Sequence, residues 1–345
     1  MKTTRLFRWL FCMLLVAASH ASLARQQTEL PGLNSNARFT QDRNGIWHIE
    51  AEDDNDSARL QGYAHCRDRF FQMDQTRRQI DGTEAELLGP GRLNSDLQAR
   101  VFGLHRAAQR SLDALPADLQ DMLQSYAEGV NHCLETLPLP PEYALLELTT
   151  ARPWVPVDSL KIAKAIAASL SLDIDTGLTE KLEDYKQAGI KYGFDGQVFF
   201  AEDVYRSAPI DPASTVPDAT NSPSWAVEWQ AKKVKDLASA AGAARRVQEK
   251  FTEHPLLSLG LNRRESFVGS NEWGVTGDAT PDGRPIIAND PHLSLNTPST
   301  FYPVGLEAPG LNVFGSSFPG ISGVVLGHNK HIHWGATTNP MDVTD

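Results

Sequence analysis

Val268-Gly269-Ser270-Asn271-Glu272-Trp273 is the stretch at which the chain changes texture. Beyond it, residues 272–277, 285–288, 311–315, 323–327 and 331–336 are short β-type runs separated by Gly, Pro, Asn and Asp, which read as strands and turns. Ahead of it the apolar period is helical. Leu60, Tyr63, Ala64, Arg67, Phe70, Phe71 and Asp74 keep three-and-four spacing behind a cap candidate at Asp56 or Ser57, and Gly82 follows the segment. Leu119, Met122, Leu123, Tyr126, Ala127, Val130 and Leu134 repeat the spacing beyond Pro116, and 157–172 and 179–192 are two further helical stretches. A hairpin at 37–51 precedes them all: Asn44-Gly45 is the pair that a two-residue primed turn favours, with Ile46, Trp47 and Ile49 behind it. The order predicts an α+β fold, helical in front and sheet-like behind, with the break near Gly269.

Residues 1–24 set Lys2, Arg5 and Arg8 ahead of an apolar run at 9–18 and then Ser19, Ala21, Ser22 and Ala24, the order of a secretory signal peptide. The run is shorter than the about 20 residues that span a bilayer as a helix. The expectation is therefore an exported, soluble protein, periplasmic or secreted, with no membrane partner. Residues 25–206 form the helical front part, 207–269 a linker and spacer, and 270–345 the sheet-like rear part. Within the second of these, 207–224 turns to Pro, Ser, Ala and Asp, and 229–253 is rich in Ala, Lys, Arg, Glu and Gln, either a removable spacer or a plain surface helix. With 345 residues, 41% of them hydrophobic, the chain can bury a core, and its net charge of -11 with no stripe of Lys and Arg argues against nucleic acid. Cys12 leaves with the signal peptide, so Cys66 and Cys133 either pair in an oxidising compartment or stay as buried thiols.

Ser270 stands immediately before the first strand of the rear part, with no Gly-x-Ser-x-Gly elbow around it. A serine hydroxyl attacks only once a base takes its proton. A cut after Gly269 would supply that base, because the new α-amine has a reference pKa of about 7.7–8.0 and accepts a proton near neutral pH. Taken alone, Gly-Ser is equally a loop dipeptide.

An ordered set of motifs surrounds this serine. In front lie Asp42-Arg43-Asn44-Gly45-Ile46-Trp47-His48-Ile49, the run from Gly62 to Asp74 with Arg77-Arg78, Gly82, Glu86-Leu87-Leu88-Gly89, Tyr126-Ala127-Glu128-Gly129-Val130-Asn131, and Pro153-Trp154 with Asp158-Ser159. Behind lie Ser270-Asn271-Glu272-Trp273, Asn289-Asp290-Pro291-His292-Leu293, Pro319-Gly320, Gly327-His328-Asn329 and Trp334-Gly335-Ala336-Thr337. From Asp42 onward the chain resembles the penicillin amidase (penicillin acylase) family of amino-terminal-nucleophile hydrolases.

The resemblance implies a proenzyme cut between Gly269 and Ser270, a two-chain heterodimer, and a rear chain that begins an αββα sandwich. It implies that Ser270 attacks the carbonyl of a small acyl-amide substrate, a penicillin-type antibiotic or an N-acyl homoserine lactone. Backbone groups at His292 and the amide N–H of Thr338 or Asn339 would contact the amine and the oxyanion. Leu293 and Leu326, at pocket-lining positions, and a histidine at 292 lean towards aliphatic acyl chains. Asp342, Thr344 and Asp345 match an acidic turn through which family members bind calcium, and Asp173 matches the ligand from the front chain; carboxylates and a backbone carbonyl suit that cation. No organic cofactor is implied.

The family's rear chain is longer than 270–345, so the resemblance also implies a fragment or a truncated product, whose helical front would serve as a binding module. A zinc protein is the third alternative. His328, His331 and His333 form a His-x-x-His-x-His cluster in which the last two would share a strand face, although Gly327-His328-Asn329 also reads as a turn.

Overall fold

The structure, a computed structural model, describes residues 30–171, 176–206, 237–251, 269–293 and 295–337. Met1–Asn34 is one compact unit and Ser35–Asp345 another, and every element below belongs to the second. The signal peptide expected at 1–24 lies outside the described residues.

Strands β1 (Ala37–Gln41) and β2 (Trp47–Ala51) form the expected hairpin, with Phe39 opposite Ile49. Its turn is longer than expected. Residues 42–46 close it, Asp42 Oδ1 accepts the N–H groups of Asn44 and Ile46 at 2.8 and 3.0 Å, and Gly45 takes φ 82°. Asn44 stays out of the left-handed region that a primed turn needs at both central positions, because the Asp42 carboxylate already organises the loop.

The long helix α1 (Asp54–Asp81) starts one turn earlier than the sequence suggested. Its cap is Asp53, whose side chain accepts the Asp56 N–H, while the Asp56 carboxylate is buried and accepts the Ser35 N–H and hydroxyl at 2.9 Å each. Gly82, at φ 66°, ends it. Helices α2 (Leu93–Phe102) and α3 (Leu104–Ala114), not singled out by periodicity, lead to α4 (Ala117–Thr136). The α1–α4 packing runs through two glycines: a Cβ on Gly62 would overlap the Tyr126 carbonyl, and one on Gly129 the Arg59 carbonyl. One turn further along each helix, Cys66 and Cys133 are joined as a disulfide, which decides between the two alternatives left by the sequence.

Helices α5 (Pro156–Ser171), α6 (Thr176–Tyr192), α7 (Gly196–Arg206) and α8 (Leu237–Phe251) complete the front part. Helix α8, from the stretch read as a spacer or surface helix, packs against α6: Leu237, Ala241 and Ala244 are buried, and Gln248 Nε2 donates to Thr176 Oγ1 at 3.0 Å. Its alanines let it sit close with little side chain between the helices.

Strands β3 (Gly269–Val275) and β4 (Ile286–His292) pair as an antiparallel ribbon. Strands β5 (Tyr302–Ala308), β6 (Leu311–Ser317), β7 (Leu326–Asn329) and β8 (His333–Trp334) join the hairpin in one sheet of order β1-β2-β5-β6-β7-β8. The junction is parallel, with Trp47 beside Val304 and Ile49 beside Leu306. These four side chains and Tyr302 are buried on the face covered by α1, each large apolar group contributing on the order of 1.5–3 kcal/mol. The central β5 escaped the sequence reading because Pro303 and Gly305 interrupt it; Pro303 points to the open face, and Gly305 sits under His48 and Phe314.

Two buried polar networks join the layers. Arg77 is fully buried: Nε donates to Asp74 at 2.7 Å, one terminal nitrogen to Asp158 and the Pro153 carbonyl at 2.9 Å each, and the other to the Arg152 carbonyl at 2.6 Å. Lys161 donates to Asp158 at 2.8 Å, and Tyr143 O–H to Asp74 at 2.6 Å. Burial opposes ionisation of Asp74, but the Arg77 charge, the Tyr143 hydroxyl and Arg78 outweigh it and lower its pKa. In the second network His65 lies between Tyr126 Oη (2.7 Å from Nδ1) and Ser317 Oγ (3.0 Å from Nε2). The Ser317 hydroxyl proton goes to the Tyr302 carbonyl at 3.0 Å, so Nε2 carries the imidazole proton and Nδ1 accepts from Tyr126. Tyr126 Oη in turn accepts the Gly320 N–H at 3.0 Å. Burial, and to a lesser extent the charge of Arg69, lower the His65 pKa to about 3.

Candidate active site

Ser270 is half-buried at the start of β3. The register sets Gly269 opposite His292 and Ser270 opposite Pro291, so the strand carrying the candidate nucleophile runs alongside the Asn289-Asp290-Pro291-His292 motif. Glu272 pairs with Asn289, and alternation puts the side chains of Ser270, Glu272, Asn289 and Pro291 on one face of the ribbon.

Among the described residues the Ser270 hydroxyl has no base in hydrogen-bond contact. His292 Nε2 lies 3.0 Å from Asp290 Oδ2 and 3.3 Å from the Asn271 side-chain amide, and alternation puts the ring on the opposite face of the ribbon from Ser270. The arrangement is not a Ser-His-Asp triad.

A third segment reaches the ribbon. Asn289 Nδ2 donates to the Ala336 carbonyl at 3.0 Å and to the Asn271 carbonyl at 3.2 Å, and Asn289 Oδ1 accepts the Ala336 N–H at 3.2 Å. A Cβ at Gly335 would lie 2.6 Å from Glu272 Oε1 and 2.8 Å from Asn289 Cβ, so Gly335 rests directly on these two residues. Trp334, just ahead, donates its indole N–H to the Val325 carbonyl at 3.0 Å. The structure thus brings Ser270, His292 and segment 335–337 to one ribbon. Asn289 and Gly335 carry no site role in the sequence reading, although each belongs to one of its motifs, which is the signal that was present.

The other expected site residues, Thr338 and Asn339 for the oxyanion and Asp173, Asp342, Thr344 and Asp345 for calcium, lie outside the described residues. The zinc expectation is not met. His328 faces His333 across β7 and β8 with ring centroids 5.3 Å apart, while His331 sits in the turn between them, its backbone N–H donated to Asn329 Oδ1 at 2.8 Å. Among the described residues no three His, Cys, Asp or Glu side chains gather as a metal set. A cavity of about 650 Å³ beside the Cys66–Cys133 bridge is lined by Arg67, Phe71, Leu134 and Leu137, and one of about 370 Å³ on the open sheet face by His48, Phe314 and His328. Leu293 and Leu326 line neither.

The ribbon sets this serine at the junction of the helical and the sheet part, with no side-chain base on it among the described residues. Residues 36–345 match the family model described as penicillin amidase, and the chain belongs to that family. It is 29% identical over 324 residues to penicillin acylase 2 proenzyme of Pseudomonas sp. (strain SE83), a match covering 92% of this chain and 38% of that protein. It is 29% identical over 316 residues to an acyl-homoserine lactone acylase of Pseudomonas aeruginosa (89% and 34% covered) and 26% identical over 339 residues to penicillin G acylase of Escherichia coli (90% and 40%). A thermostable penicillin G acylase from Alcaligenes faecalis, 27% identical, superposes with a TM-score of 0.45 over 53% of this chain and 97% of that one. The chain spans between about a third and two-fifths of the length of these curated relatives.

Proposed function

We propose that this sequence belongs to an exported, self-processing amidohydrolase in which Ser270, freed by a cut after Gly269, is the nucleophile. The observation that carries it is the position of Ser270: it opens β3 at the boundary of the two parts, in register with the Pro291-His292 backbone, and its hydroxyl has no other base among the described residues. Its own α-amine then takes the hydroxyl proton, through a water where the reach requires it. Oγ attacks the amide carbonyl, the amine leaves with a proton, and water resolves the acyl-enzyme to the acid. Backbone N–H groups at Thr338 or Asn339 fill the oxyanion role; losing one such donor costs on the order of 10²–10³ in turnover. The substrates named for the relatives, penicillins and acyl-homoserine lactones, are the classes to test.

Three further parts belong to the proposal. The Cys66–Cys133 bridge supports an oxidising compartment, periplasmic or extracellular. The parallel pairing of β2 with β5 supports a heterodimer that stays together after cleavage. Asp173, Asp342, Thr344 and Asp345 form the calcium set, whose oxygen donors suit a hard cation; metal analysis of wild type against Asp342→Asn checks it.

Intact-mass analysis and amino-terminal sequencing of wild type and Ser270→Ala test the central claim. A chain beginning at Ser270 is expected in the wild type only, and an uncut wild type refutes self-processing. Amine release from penicillin G and from a long-chain acyl-homoserine lactone, side by side, separates the two substrate classes.

A further inference from the structure

We infer that Asn289 is a positioning residue for the reaction proposed above: its side-chain amide locks segment 335–337 across the face of the ribbon that carries Ser270. The inference rests on that reading of Ser270. Three contacts define the amide without ambiguity, since Nδ2 meets two carbonyl oxygens, those of Ala336 and Asn271, and Oδ1 meets the Ala336 N–H. A flipped amide would set like against like at all three. Towards Ala336 the side chain behaves as one rung of a β-ladder, donating to the carbonyl and accepting from the N–H of the same residue. The bond to Asn271 fixes the rung to β3, one residue beyond Ser270.

The rung lies where a device for the nucleophile would need to lie. Register and alternation put Asn289 and Glu272 on the Ser270 face, one side-chain repeat along the ribbon, a spacing of about 7 Å. Gly335 rests on Asn289 and Glu272, so the segment crosses that face at this rung. Ala336 itself is therefore held about one repeat, on the order of 7 Å along the ribbon, from Ser270, and its position is set by the Asn289 amide. A bare strand–strand contact would allow it to slide; a two-point amide bond to a single residue does not.

The second support comes from Gly335. No side chain fits there without displacing the segment, because the Asn289 Cβ would be met at 2.8 Å and is not a mobile end. Asn289 and Gly335 therefore make one device from two sides, the amide pulling the segment down and the missing Cβ letting it come close.

The test uses the full chain in four forms: wild type, Asn289→Ala, Asn289→Asp and Gly335→Ala. Hydrogen exchange at the Ala336 amide reads the clamp, intact mass over time reads processing between Gly269 and Ser270, and thermal unfolding reads global stability. The expectation is Ala336 exchange at least about tenfold faster in Asn289→Ala, where the acceptor is lost. Processing should slow by about 10²-fold in Asn289→Ala and Gly335→Ala, the usual consequence of an ångström-scale misplacement. Asn289→Asp keeps the acceptor for the Ala336 N–H but turns a carboxylate oxygen on two carbonyls, so it should also process slowly. If Asn289→Ala lowers the melting temperature too far for comparison, Gly335→Ala, which leaves the amide intact, decides. Processing at the wild-type rate in the variants overturns the positioning role, as does unchanged Ala336 exchange. An uncut wild type with a protected Ala336 amide refutes the self-processing proposal instead, and reduces Asn289 to a structural tie.

Discussion

His65→Gln is expected to flatten the acid sensitivity of the fold. The wild-type imidazole is fully buried between Tyr126 and Ser317, and burial lowers its pKa from 6.5 to about 3. A histidine with a lowered folded pKa stays neutral in the folded state while the unfolded chain takes up a proton, so its contribution is complete above the unfolded pKa and is lost as pH falls towards the folded value. Between pH 7.5 and 4.5 the unfolded chain gains about 2.7 kcal/mol from that one proton, at 1.36 kcal/mol for each pH unit below 6.5. Asp42 and Asp74, whose lowered pKa values act in the same direction, overlap this window only at its lower end, below about pH 5, and contribute equally to both forms. In His65→Gln the amide can still donate to Ser317, but Tyr126 loses its acceptor, which costs about 1–3 kcal/mol at neutral pH. Urea unfolding at pH 7.5, 6.5, 5.5 and 4.5, followed by circular dichroism, should therefore show a wild-type advantage that shrinks by about 2.7 kcal/mol across the series. His105, whose pKa burial also lowers, is controlled with His105→Gln. Curves for wild type and His65→Gln that fall in parallel would show that the buried ring does not hold its neutral form in the way the geometry requires.

Three further outcomes are expected. Arg77→Met leaves the Asp74 and Asp158 carboxylates buried without their central cation and should cost about 3–5 kcal/mol in urea unfolding; a loss below about 1 kcal/mol refutes the network as a structural core. Replacing both Cys66 and Cys133 by serine frees a loop of 67 residues and should lower stability by about 4 kcal/mol, with reduction of the wild type giving a similar loss. Gly129→Ala drives a methyl group into the Arg59 carbonyl and should destabilise by at least about 1–3 kcal/mol, whereas Gly91→Ala, which meets open space, should not.

Much of the fold was legible because it follows from local spacing. The hairpin, α1, α4, α5 and α6 appear within a few residues of where periodicity sets them, and the change of texture falls at the residue where β3 begins. What failed was non-local. Strand β5 lies at the centre of the sheet, yet its proline and glycine hide it, and only pairing with β2 and β6 on both sides makes it a strand. The cap of α1 moved to Asp53 because the Asp56 carboxylate is taken by Ser35, 21 residues away. The site was legible at Ser270 through the motifs around it. Asn289 was visible as a motif residue, but its clamp was not, because its partner Ala336 is 47 residues distant and backbone atoms carry no sequence signature.

The motif residues hold the helices of the front part to one another, and some of them, His65 and Tyr126 included, tie that part to the rear sheet. Gly62 and Gly129 let α1 meet α4, Arg77 and Asp158 join α1 to α5, Asn131 bonds the Trp154 backbone on both sides at 2.7 and 2.9 Å, and His65 ties both helices to β6 and Gly320. Gln61, fully buried on α1, holds Gly323 the same way, accepting its N–H at 2.8 Å and donating to its carbonyl at 3.0 Å. The β6–β7 loop is thus fixed by side chains from the front part, and its Val325 carbonyl receives the Trp334 indole one residue before the Asn289 clamp. No link in that path crosses the bond between Gly269 and Ser270. A cut there would leave the front helices still placing segment 335–337 against the ribbon, so the front chain acts on the candidate site through a relay of hydrogen bonds that does not depend on covalent continuity.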